Sequence, residues 1–190
     1  MGQYYYGIIF KEDTTDFTDI SNVKGAFNAH YWGDGLRLCD HSWLHNGMVM
    51  RVMERIQEMG TARVVWAGDY ADKEPDKDFH LYNMIERIGV YSYGKAPERQ
   101  CQYIINHDKH EYIDLMQCPE NSLGWCLHPL PLMTCEGNGR GGGDFDYDDK
   151  KNGTHYDDYV GKWSRDRLSV SNEKPDDTYT EIRPDFIREF

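Results

Sequence analysis

The stretch Gly137-Asn-Gly-Arg-Gly-Gly-Gly143 places five glycines around one arginine, and Asp144, Asp146, Asp148 and Asp149 follow at once. Ordering such a run costs backbone entropy that is worth spending only where positive φ or very close backbone approach is needed. Successive amides in a tight glycine turn converge on anions, and a guanidinium adds a planar bidentate contact. Gly139, Arg140, Gly141, Gly142 and Gly143 therefore form a candidate cradle for a phosphate-bearing small ligand. The run is neither a Walker A loop, since no Lys-Ser or Lys-Thr follows, nor a dinucleotide fingerprint, which needs a preceding strand and a following helix. The plain alternative is a flexible connector, whose composition it also meets. The carboxylates that follow, Asp144, Asp146, Asp148, Asp149, Asp157 and Asp158, make a candidate surface for a basic partner.

Other groupings are weaker. Asp34, Asp69, Asp72, Asp144 and Asp146 sit on turns, where oxygen ligands for Ca²⁺ or Mg²⁺ commonly originate. A calcium loop counted from Asp144 lacks its glycine, and its twelfth position is His155 instead of glutamate. Zinc through Cys118, Cys126, His128 and Cys135 lacks the short Cys-x-x-Cys spacing of structural sites, and buried thiols are the simpler reading. No metal and no cofactor is expected. On a strand Cys126 and His128 would share a face, as a thiol nucleophile and its base must, but no third group orients the histidine. His107 and His110 flank a polar turn, Arg165 and Arg167 have Asp166 or Asp157 to pair with, and the tryptophans at 32, 43, 66, 125 and 163 read as core before they read as stacking platforms.

These residues need a scaffold, and the hydrophobic pattern supplies one. Tyr4 to Phe10 is aromatic and β-branched, which predicts a strand inside a sheet. A turn at Gly33-Asp34-Gly35 is expected to lead into a short strand ending at Cys39. Asn46 can cap a helix whose apolar residues Val49, Val52, Met53, Ile56 and Met59 recur at three- and four-residue steps before Gly60 stops it. Ala62 to Ala67 predicts a strand, and a second helix is expected from about Asp76 to Ile88, closed by Gly89. Cys101 to His107 and His110 to Leu115 predict a hairpin; Gly124 to His128 a strand stopped by Pro129 and Pro131; Trp163 to Ser171 and Thr178 to Ile182 two closing strands. Strands and helices do not alternate as a parallel sheet requires. The expectation is one α+β domain over residues 1–190, a mainly antiparallel β-sheet carrying about two α-helices.

With 33 acidic against 21 basic residues the formal charge is −12. Such a field disfavours nucleic acid and anionic membranes and favours a basic partner. No segment has the apolar length of a membrane span and none reads as a leader, and five cysteines at irregular spacing fit reduced thiols, so a cytoplasmic protein is expected.

As a set, Met1-Gly-Gln-Tyr-Tyr5, Gly33-Asp-Gly-Leu36, Ala67-Gly-Asp-Tyr-Ala-Asp72, His128-Pro-Leu-Pro131, Gly137-Asn-Gly-Arg-Gly-Gly-Gly-Asp144 and the Trp163-Ser-Arg-Asp166 segment resemble a family of uncharacterised small proteins from phages, mobile elements and their bacterial hosts. No activity attaches to that family, so the resemblance implies a setting, that of a counter-defence factor in a bacterial host cell, and no catalytic role. Three functions are then expected in descending order. The first is an acidic inhibitor that binds a basic host defence protein, a CRISPR nuclease or another nucleic-acid enzyme, without touching nucleic acid itself. The second captures or cleaves a nucleotide signal of host immunity, as a CBASS or Thoeris antagonist would, with Arg140 and the glycine amides on phosphate. The third is a metal-dependent hydrolase using Asp69, Asp72 and Asp144 with His41 or His128.

Overall fold

The structure is a computed structural model, described here for residues 3–89, 91–137 and 159–188. Tyr5–Lys11 forms strand β1 and lies between β2 (Val23–Asn28) and β3 (Ala62–Gly68), antiparallel to both. The odd residues Tyr5 and Ile9 join one apolar cluster and the even residues Tyr6, Ile8 and Phe10 join another, so the strand is buried on both faces. Gly7 sits opposite Trp66, where an added Cβ would stand 3.1 Å from the indole; its missing side chain is the room the indole fills.

The sheet continues through β7 (Arg167–Ser171), β4 (Tyr103–Asn106), β5 (Glu111–Asp114) and β8 (Thr180–Glu181), in the order β2-β1-β3-β7-β4-β5-β8. The two-residue strand β6 (Cys135–Glu136) pairs with β3 off this path. All pairings are antiparallel except β3 with β6 and β5 with β8, so the α+β reading with a mainly antiparallel sheet holds.

Helix α2 (Gly47–Met59) lies on the face of Val64 and Trp66 and buries Val49, Val52, Met53 and Ile56. Its start is set by Asn46, whose side chain accepts from Met48 N and Val49 N, and its end by Gly60 at φ 79. Helix α3 (Leu81–Ile88) covers the other face with Leu81, Tyr82, Met84 and Ile85, and Gly89 closes it at φ 64. It begins at Leu81 instead of Asp76, because the His80 side chain accepts from Asn83 N and caps it there.

Two short helices were not expected, one in place of a strand and one just after the position of another. Leu38–His41 forms α1, where a strand to Cys39 was expected; Asp40 folds back onto the Arg37 amide and guanidinium, closing the first turn. Pro129–Thr134 forms α4, because Pro129 and Pro131 occupy a first turn whose N–H groups need no partner, and the His128 ring caps it. Before it the chain makes only isolated bridges, Trp43 with Leu127 and Glu120 with Cys126, and no strand. The described residues thus hold four α-helices instead of about two. Among the described residues no helix is long and apolar enough to cross a membrane.

Candidate functional site

Strand β3 has two neighbours on one edge. Its first residues pair with β7 (Ala62↔Leu168, Arg63↔Arg167) and its last with β6 (Trp66↔Cys135, Ala67↔Glu136). The turn at 159–166 fills the fork: Gly161 N donates to Leu132 O (2.8 Å), Trp163 N to Met133 O (2.7 Å) and Arg165 N to Val64 O (3.0 Å). Close approach is what the local glycines permit. A Cβ at Gly68 would lie 2.5 Å from Glu136 O, and one at Gly161, where φ is 70, 2.7 Å from Cys135 O.

A cleft of about 520 Å³ opens where β3 and β6 end side by side, lined by Asp72, Lys73, Glu74, Glu136, Lys162 and Arg165. Gly137 and Val160 line it too.

Arg165 holds the cleft together. Its Nη1 and Nη2 donate to Glu74 Oε2 (3.0 Å) and Oε1 (2.6 Å), while Nε and Nη2 donate to Glu136 Oε1 (2.6 Å) and Oε2 (2.8 Å). The guanidinium also stacks on Phe17 at 4.9 Å. Burial alone would weaken its hold on the proton, but the hydrogen bonds to Glu136 and Glu74 outweigh it and leave the group more firmly cationic than usual. Arg165 is at φ 67, a left-handed conformation that an L side chain adopts only when its surroundings compensate. The two bidentate carboxylate contacts supply that compensation.

The groups around Arg165 are therefore paired with one another, while Asp72 and Lys73 are exposed on the cleft without an ion pair among the described residues. Lys162 Nζ is on Glu111 Oε1 (3.0 Å) and Ser164 Oγ donates to Glu136 Oε1 (2.6 Å). Arg165 and Arg167 do not pair with Asp166 as the sequence suggested. Arg167 Nε binds Asp108 Oδ1 (2.7 Å), and Asp166 takes Lys109 and Asn106. Glu74 and Glu136 were missed by sequence reasoning because they lie 91 and 29 residues from Arg165.

A second depression, about 430 Å³, is lined by Leu44, Leu115, Met116, Glu120, Trp125 and Cys126. Cys126 Sγ points at Cys118 O (3.7 Å). Burial pushes both thiols up, Cys118 to about 12, and the negative charges of Asp114 and Glu120 add to it at Cys118 and Cys126 respectively. Activation of a thiol nucleophile requires the opposite shift.

The histidines expected as bases or ligands are built into the core. Trp66 Nε1 donates to His41 Nε2 (2.9 Å), so the ring proton is on Nδ1, which donates to Gly35 O (3.0 Å). Leu130 N donates to His128 Nδ1 (3.1 Å), which leaves Nε2–H facing Met53 Sδ (3.2 Å). Burial, with His45 adding a little, takes the His128 pKa down to about 3, so the ring is neutral. The Cys126 and His128 dyad is thereby ruled out: no strand aligns them, and both nitrogens of His128 are engaged. His107 is half-buried instead of exposed, bonded to Tyr179 Oη (2.8 Å) and Ser169 Oγ (2.7 Å), and His110 stacks on Tyr179.

Of the turn carboxylates, Asp34 Oδ2 accepts from Asn46 Nδ2 (2.9 Å), Asp69 Oδ1 from Tyr4 N (3.0 Å), and Asp72 is exposed on the cleft. Among the described residues no three His, Cys, Asp or Glu side chains gather as a cation would need. Trp66 and Trp163 are core, Trp32 and Trp43 are half-buried, and Trp125 is exposed. Gly139 to Gly143 with Arg140, and Asp144, Asp146, Asp148, Asp149, Asp157 and Asp158, lie outside the described residues.

No family model, curated protein or solved structure matches the chain.

Proposed function

We propose that the protein is an acidic interaction protein that docks on the cationic face of a nucleic-acid-acting host defence enzyme and thereby inhibits it, in the cytoplasm of a bacterial cell. The observation that carries this reading is the excess of acid, together with how the chain spends its cations. Arg51 and Arg55 bind Glu58, Arg63 and Arg167 bind Asp108, Lys162 binds Glu111, and Arg165 binds Glu74 and Glu136. Carboxylates such as Asp13, Asp72, Asp78, Glu86, Glu98 and Glu120 stay exposed without an ion pair among the described residues. Lys24, Lys73, Lys77, Lys95 and Arg99 are likewise exposed without an ion pair among the described residues, so the reading rests on the excess of acid, a charge of −12 over the whole chain, which a basic surface can meet.

The nucleotide reading gains nothing from the cleft. A phosphate entering it meets Glu74 and Glu136 as well as the exposed Lys73, and Arg165 would have to abandon both carboxylates to clamp it. A hydrolase using His41 or His128 would need a ring nitrogen that neither can offer without breaking the core.

The test is to mix the purified protein with candidate defence nucleases and measure complex formation as salt rises. Attraction between exposed charges is screened beyond about 8 Å at physiological salt, so the complex should weaken steadily between about 0.05 M and about 0.5 M NaCl and should compete with nucleic acid. Complexes indifferent to salt and to nucleic acid, or none at all, would overturn the reading.

A further inference from the structure

The depression beside Trp125 has the features of a recognition site that the charge argument alone does not require. Met116, Leu123 and Trp125 are 74 %, 65 % and 56 % exposed and fall within one short stretch of chain. Surface apolar residues gathered this way mark contact sites more often than scattered ones do.

The loop carrying them is pre-formed. Asn121 Oδ1 accepts from Leu123 N (3.0 Å) and Trp125 N (2.9 Å), and its Nδ2 donates to Arg188 O (2.8 Å). The Trp125 ring stands edge-on to Trp43 at 5.6 Å, and Trp43 Nε1 is anchored on Cys39 O (2.7 Å). An exposed indole held from below gives a partner contact area at little entropic cost.

Beside it is an unneutralised charge. Glu120 bridges to Cys126, and its Oε2 lies 4.0 Å from where a Cβ on Gly124 would be, next to Trp125. The Glu120 side chain has no ion pair among the described residues, and the basic side chain lining the depression is His45, with no lysine or arginine beside it. The thiols of Cys118 and Cys126 feel the negative field of Asp114 and Glu120 there.

We infer that this depression receives an arginine of the basic partner, its guanidinium stacked on Trp125 and its fork on Glu120, with an apolar neighbour of that arginine against Met116 and Leu115. The inference rests on the acidic docking reading and supplies its recognition element. Arginine suits the site better than lysine because a planar fork can stack on an indole and bind a carboxylate bidentately at once. A second copy of this chain suits it less well. Its arginines are largely committed to its own carboxylates, and two chains of charge −12 repel.

The experiment titrates the full chain with three acetylated octapeptides alternating leucine with arginine, lysine or glutamate, read by calorimetry. The arginine peptide should bind saturably, the lysine peptide about tenfold more weakly, and the glutamate peptide not at all. Trp125→Ala and Glu120→Gln should each weaken the arginine peptide about tenfold or more while the circular dichroism spectrum is unchanged. Equal binding of the arginine peptide by wild type and both variants, or no binding by wild type, overturns the proposal. So does a dimer, seen by sedimentation, that Trp125→Ala dissociates, because the occupant would then be a second copy. The same variants tested in the nuclease complex separate the two ideas: a salt-sensitive complex untouched by Trp125→Ala refutes this site and leaves the docking reading standing, whereas no complex by wild type refutes the docking reading.

Discussion

The cleft between β3 and β6 and the depression beside Trp125 are joined by one run of chain, yet they use charge in opposite ways. In the cleft two carboxylates are matched to one guanidinium, and Glu74, only 5 % exposed at its side chain, has no counter-charge but Arg165 among the described residues. In the depression Glu120 is exposed and has no ion pair among the described residues, and Met116 and Trp125 near it are exposed. Between them runs α4, capped by His128 at one end and leading directly into β6 at the other. A titratable cluster in a cleft is the usual place to look for function. Here the cluster is spent on holding a fork in the sheet closed, and the group with binding capacity to spare is at the less conspicuous site.

That contrast breaks if the cleft is not structural. Arg165→Met leaves Glu74 buried without a counter-charge, which should cost about 3–5 kcal/mol of unfolding free energy in urea titration. The triple change Arg165→Met with Glu74→Gln and Glu136→Gln should recover much of that loss, because the stranded charges go with the guanidinium. Arg165→Gly relieves the left-handed backbone but should remain destabilising, since Glu74 is still unpaired. If Arg165→Met were stable and lost partner binding instead, the cleft would be the functional site.

The linker gives the next largest effect. The His128 pKa falls from 6.5 to about 3 on folding, so the native state resists the proton that the unfolded chain accepts. Its contribution to stability is complete above the unfolded pKa of 6.5 and is lost as pH falls towards 3. At pH 5 the loss should be about 2 kcal/mol relative to pH 7. His128→Asn keeps an oxygen to cap α4 and should flatten this acid limb, as chemical denaturation across the range would show. An unchanged limb in that variant would place the acid sensitivity elsewhere.

How much of this was readable beforehand follows from sequence distance. Helix α2 was legible end to end, because Asn46, the apolar repeat and Gly60 are all local signals. The β4–β5 hairpin and the interior position of β1 were legible for the same reason. Strand β2 was not, since Lys24 and Gly25 interrupt its alternation and only pairing with β1 makes it a strand. Helix α4 is not legible in the sequence because Pro129 and Pro131 fit a strand's end as well as a helix start, and only the polar cap at His128 favours the second. The cleft was illegible in principle: Glu74, Glu136 and Arg165 meet only through the β3–β6 fork. Trp125 was assigned to the core with the other tryptophans, and its exposure depends on a loop that Asn121 organises through hydrogen bonds no periodicity reveals.

The smallest expected effect is the sharpest on the comparison. Trp125→Ala and Glu120→Gln remove exposed groups that cap nothing and hold no ion pair among the described residues, so each should lie within about 0.5 kcal/mol of wild type in the same urea titration. Trp43 should tolerate loss of its edge-on neighbour because its indole N–H stays on Cys39 O. If Trp125→Ala instead cost as much as a core tryptophan, the ring would be serving the fold, and its exposure would carry no meaning for a partner. A stability-neutral Trp125→Ala beside a destabilising Arg165→Met would separate the two regions cleanly, because the fold would then need the buried ion-pair group and not the exposed ring.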